Sequence, residues 1–83
     1  MEFHAEESSN IKRARYDPAT QTLQVDFRGT DGNVSSTYEY SGFSADDWAD
    51  FCNAKKKGVH FASAIRFARN ADNTLKYPYR KVA

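Results

Sequence analysis

The sequence predicts an α+β domain: a three-stranded antiparallel β-meander, then two short helices packed on one face, then an extended C-terminal segment. Two observations carry this. Up to Ser41 the apolar residues alternate with period two between turns that hold Pro or Gly. Beyond Gly42 the apolar spacing changes to i, i+3, i+4, behind a helix-start signature.

Residues 1–7 are polar and are expected to form a flexible tail, with a single domain over residues 8–82. Ile11 to Tyr16 reads as the first strand, closed by the turn Asp17-Pro18-Ala19-Thr20, in which Pro18 suits turn position i+1. From Thr22 to Arg28, Leu23, Val25 and Phe27 alternate with Gln24, Asp26 and Arg28, the pattern of a half-buried strand. After the loop Gly29–Asn33, Val34 to Ser41 forms the third strand. Ser36, Tyr38 and Tyr40 share one of its faces, and Thr37 and Glu39 the other. Ser44 suits a helix N-cap, Asp46 and Asp47 complement the helix dipole, and Phe43 and Trp48 sit at staple positions. Trp48, Phe51 and Cys52 then define a buried stripe, Lys55-Lys56-Lys57 the last turn, and Gly58 the stop. A second helix is expected from Val59 to Ala68, burying Phe61, Ala64, Ile65 and Ala68. From Leu75 to Val82, Pro78 rules out helix and disfavours a central strand.

The 83 residues suffice for one domain with its own core, and 14% aromatic residues can supply most of it. Cys52 is the only cysteine, so no internal disulfide forms, which fits a reducing cytoplasmic setting. No apolar run approaches the roughly 20 residues of a bilayer span, so no membrane association is expected. The net charge of +1 is unevenly spread: four Lys/Arg against seven Asp/Glu in residues 1–43, and eight against four in residues 44–83. A basic half attracts phosphate backbones, although such charges also occur as a plain solvated surface.

The motifs line up with a family. Ser8-Ser9-Asn10-Ile11, Tyr16-Asp17-Pro18, Leu23 to Phe27, a central Tyr38-Glu39-Tyr40, Lys57-Gly58 with Phe61, Ile65-Arg66 and Tyr77-Pro78-Tyr79-Arg80 resemble, in order and spacing, the KTSC domain. That module is named from the C-terminus of some lysyl-tRNA synthetases and is also found alone in bacterial and phage proteins. Tyr38-Glu39-Tyr40 matches its YxY motif. Lys56 stands where the family usually has Ser, and Phe67 to Lys76 lengthen the passage to the C-terminal motif. The family's role is not established. RNA binding has been suggested for it, so the resemblance points to RNA in preference to DNA.

Nothing in the chain suggests catalysis, a metal or a cofactor. His4 and His60 are isolated, Cys52 is expected in the core, and Asp46, Asp47 and Asp50 are explained by the helix N-terminus. A non-catalytic binding module is the expectation. The candidate phosphate-binding residues are Lys55, Lys56, Lys57 and His60 around the interhelical turn, Arg66 and Arg69 beyond it, and Lys76, Arg80 and Lys81 near the end. Gly58 and the start of the second helix would let an anion approach backbone N–H groups. Arg66 has a rival role, pairing with Glu39 or Asp26 to fix the helix on the sheet. Tyr38 and Tyr40 would stack unpaired bases if their face is open and form core if it faces the helices; the core reading is preferred. The alternative partner is a protein, as for a phage or plasmid accessory protein docking on a host protein. A monomer or a weak homodimer through an edge strand or the tail is compatible with both.

Overall fold

A computed structural model describes residues 1–83. Strands β1 (Glu2–His4), β2 (Ile11–Asp17), β3 (Thr22–Arg28), β4 (Val34–Tyr40) and β5 (Tyr79–Lys81) lie side by side in sequential order, every neighbouring pair antiparallel. Between β4 and β5 come α1 (Ala45–Asn53) and α2 (Lys57–His60), which runs on as a π-helical segment, Phe61–Arg66.

The sheet has five strands, not three. The two added strands are three residues long and form the edges, so neither leaves a strong alternation in the sequence. The first seven residues are not a loose tail throughout. Glu2–His4 pairs with Arg13–Arg15, Tyr16 N–H donates to Met1 O at 2.8 Å, and Ala5 is buried. Phe3 accounts for this, because its ring stacks on Trp48 at 5.2 Å and meets Phe51 edge-on at 4.9 Å. The C-terminal segment is likewise a paired edge strand, with Pro78 just before it, where no ladder donor is lost.

Register decides which side chains meet the helices. Leu23 faces Tyr40 and Val25 faces Tyr38 across β3 and β4, so all four share one sheet face. That face carries the core, with Ile11, Leu23, Val25, Phe43 and Phe51 almost wholly buried. Helix α1 starts at Ser44 as its sequence requires. Ser44 Oγ accepts from Asp47 N–H at 3.0 Å, and Asp47 Oδ2 accepts from Ser44 N–H at 3.1 Å, a reciprocal cap. Gly42, at φ +71°, makes the left-handed corner that turns the chain from β4 toward α1.

The helix ends differ from expectation. Helix α1 stops at Asn53, and Lys57 begins α2 instead of ending α1. Cys52 is exposed: the short helix turns only Trp48 and Phe51 inward. Gly58 lies inside α2 and is not a stop. A Cβ there would meet Ser8 Oγ at 3.0 Å, so a close approach to the Ser8 turn accounts for the glycine. The π-helical segment replaces the expected α-helical stripe. Its wider turn puts Phe61 and Ile65 on the core and leaves Ala64 exposed. Ser63 Oγ donates to Val59 O at 2.9 Å in this stretch, competing with the backbone ladder.

The opposite sheet face is polar and centred on Asp26, which is only 1% exposed. Its carboxylate accepts from Thr37 Oγ1 at 2.8 Å, Arg13 Nε at 2.9 Å and Arg15 Nη2 at 3.2 Å. Burial works to raise its pKa, but these hydrogen bonds and the two guanidinium charges outweigh it and hold the carboxyl below its ordinary range.

Candidate nucleic-acid interface

The nine predicted cations do not form one surface. Lys55 and Lys56 border a shallow depression of about 470 Å³ beside Ser8, Ser9 and Asn10. Lys57 is engaged in structure: its ammonium donates to the carbonyls of Cys52 and Ala54 and lies 5.2 Å from the centre of the Phe3 ring. The first N–H of α2 already donates to Glu7 Oε1 at 3.0 Å, so it is not open to an anion. The His60 ring stacks on Phe51 at 5.5 Å. Lys76 lies over Tyr77 and borders a groove that also holds Asp47 and Asp50. Arg80 is on the polar sheet face, where both its Nε and Nη2 donate to Glu39 Oε1. That contact neutralises the acidic residue of the Tyr38-Glu39-Tyr40 motif.

Three cations remain together. Arg66 and Arg69 line a cleft of about 400 Å³ with Tyr38, Tyr40, Phe67 and Tyr79. Lys81 lies opposite Tyr38 in the β4–β5 register, so its side chain shares this sheet face. Arg66 takes part in no ion pair, because Asp26 is held by Arg13 and Arg15, and Glu39 by Arg80. Its guanidinium instead lies 5.1 Å from the centre of the Phe67 ring. Arg69 Nη1 donates only to Asn73 O, at 3.3 Å. No acidic residue lines the cleft.

The two tyrosines of the motif divide. Tyr40 is 4% exposed and packs on Phe61 at 5.4 Å, so the core reading holds for its ring. Tyr38 is half-buried, between Phe27 at 5.8 Å and Tyr79 at 5.9 Å. Burial pushes the Tyr40 hydroxyl up to about 12, while the Arg66 charge acts the other way. Tyr79 and Phe67 are the most open rings here, at 54% and 63% exposure. Neither ring is among the nucleic-acid-binding candidates that the sequence offers. No local signal separates Tyr79 from Tyr77: two residues apart, they would share one strand face, and only the packing puts Tyr77 in the core and Tyr79 at the cleft.

Residues 7–68 match the KTSC domain. The chain belongs to the KTSC domain family. A crystal structure of a KTSC domain protein from Yersinia pestis is similar over 100% of this chain and 97% of that one, with a TM-score of 0.75 and 28% identity. A comparison with curated proteins finds no match. The matched KTSC span includes Tyr38-Glu39-Tyr40 and Arg66 but ends before β5. The structural likeness extends over the edge strands, so Tyr79 and Lys81 lie within the shared fold. No helix is long and apolar enough to cross a membrane.

Proposed function

We propose that this KTSC domain is a non-catalytic module that binds single-stranded nucleic acid, RNA in preference to DNA, at the cleft between β4, β5 and the π-helical segment. The observation that carries the reading is the cleft itself. Exposed rings at Tyr79 and Phe67 stand beside two guanidiniums, Arg66 and Arg69, with no carboxylate on the lining. Aromatic faces stack unpaired bases of any identity, at about 1–3 kcal/mol per base, and cations track the phosphates. A π-helical turn at the mouth accords with the recurrence of such turns at functional sites. The preference for RNA follows the suggestion made for the family, and a cytoplasmic setting accords with it.

This reading moves the binding surface away from Lys55, Lys56 and Lys57. The test is a fluorescence titration with mixed-sequence single-stranded RNA, repeated at rising salt. Binding is expected to weaken steeply with salt, and the Arg66→Gln/Arg69→Gln variant to lower the log–log salt slope by about one to two units. Absence of binding at low salt, or a double variant as tight as wild type, would overturn the reading. Nuclease-resistant capture of a discrete protein at the same cleft would favour a protein partner instead.

A further inference from the structure

The buried Tyr16 has a partner for its hydroxyl, donating to Phe43 O at 2.6 Å. Tyr40 differs. Its ring is sealed in the core, yet its hydroxyl has no hydrogen-bond partner in the protein. Nor is that oxygen shut away, since the one fully enclosed side-chain polar atom without a partner is Arg15 Nε. Tyr40 lines the cleft together with Arg66, Tyr38 and Tyr79, its ring 5.8 Å from that of Tyr79.

The Tyr40 hydroxyl thus opens on the cleft, where a phenylalanine would fill the same core space but offer no donor. A donor-rich lining, with an unpaired guanidinium and phenolic O–H groups but no carboxylate, is complementary to an oxyanion. It would repel a cation and gives a base edge few acceptors.

We propose that the floor of the cleft is a phosphate subsite, in which the Tyr40 hydroxyl and the Arg66 guanidinium donate to the non-bridging oxygens of one phosphate group, the neighbouring bases resting on Tyr79 and Phe67. This rests on the nucleic-acid reading for the source of the phosphate, a diester within a strand, but the subsite chemistry is shared with a free phosphate monoester. Tyr38, half-buried at the side, supplies a further hydroxyl, and Arg69 and Lys81 meet the flanking phosphates.

The test compares wild type with Tyr40→Phe and Arg66→Lys, using an oligouridylate, uridine monophosphate and inorganic phosphate as probes. Affinity is followed by fluorescence, and the Tyr40 and Arg66 signals by NMR. Tyr40→Phe is expected to keep the thermal midpoint and to weaken oligouridylate binding roughly tenfold, the loss of one charge-assisted hydrogen bond. Arg66→Lys retains the charge and is expected to weaken binding while keeping the salt slope, because the forked geometry is gone. If wild type binds oligouridylate and Tyr40→Phe binds it equally well, the subsite is overturned and the strand reading survives. If the oligomer does not bind but the monophosphate shifts the Tyr40 and Arg66 signals, the subsite stands and the strand reading fails. If no probe shifts those signals, both fall.

Discussion

The two ends of the aromatic core use the same residue types in opposite ways. At the closed end Phe3, Tyr16, Phe43, Trp48, Phe51 and Tyr77 interlock beneath α1, and the Tyr16 hydroxyl donates to Phe43 O. Carboxylates stand near these rings, Asp47 and Asp17 by Tyr16 and Asp47 and Asp50 by Tyr77, while Lys57 and Lys76 lie over Phe3 and Tyr77. At the open end Tyr38, Tyr40, Phe61 and Tyr79 pack as closely, yet the Tyr40 hydroxyl has no partner and the nearby charges are Arg66, Arg69 and Lys81. The difference teaches that aromatic packing alone does not separate core from contact surface here. What separates them is the company the rings keep: carboxylates stand among the closed-end rings, and none lines the open end.

The contrast breaks most readily at Phe51. Its side chain is fully buried among Phe3, Trp48 and Phe61, so Phe51→Ala should cost about 3–5 kcal/mol, enough to leave so small a domain near unfolding in a urea titration. Phe67→Ala, at a ring 63% exposed, should change stability by no more than about 0.5 kcal/mol while weakening strand binding. A comparable cost for the two would erase the distinction.

Acid sharpens it next. Asp26 behind the sheet and Asp47 at the closed end both have folded pKa values below the ordinary 3.8. For Asp47 burial opposes the shift, and hydrogen bonds from Ser44 outweigh it. A carboxyl whose pKa is lowered by folding contributes stability above its unfolded pKa and loses it as the pH falls through the folded value. Stability followed by circular dichroism should therefore be nearly flat from about pH 5 upward and drop below about pH 4, with Asp26→Ala removing part of that drop. At neutral pH Asp26→Ala should cost about 2–3 kcal/mol, less than for a fully buried pair because Arg13 and Arg15 are about a third exposed.

The smallest effect separates the hydroxyls. Tyr16→Phe orphans the buried Phe43 carbonyl and should lower the thermal midpoint by several degrees. Tyr40→Phe orphans nothing in the protein and should leave the midpoint unchanged. Equal losses would show that Tyr40 has a structural partner after all.

Much of the fold was legible because its signals are local. The alternation of Leu23, Val25 and Phe27 and the cap Ser44–Asp47 each depend on residues close in sequence. The edge strands were not legible: Glu2–His4 and Tyr79–Lys81 are too short for periodicity and are held by distant partners, Phe3 by Trp48 and Arg80 by Glu39. The candidate site was half legible. Arg66, Arg69, Lys81, Tyr38 and Tyr40 were named, but so were Lys57, which is spent on capping α1, and Arg80, which the register sends to the other face. Sorting the cations required knowing which already had partners, and that is a tertiary fact.

The open end as the contact surface is tested most directly by mapping amide and side-chain NMR shifts on addition of a short single-stranded RNA at low salt. The expected perturbations cluster at Tyr38, Tyr40, Arg66 to Arg69 and Tyr79 to Lys81, and the closed end around Tyr16 and Tyr77 stays silent. Shifts centred on Lys55, Lys56 and the Ser8 turn, or none anywhere, would contradict it.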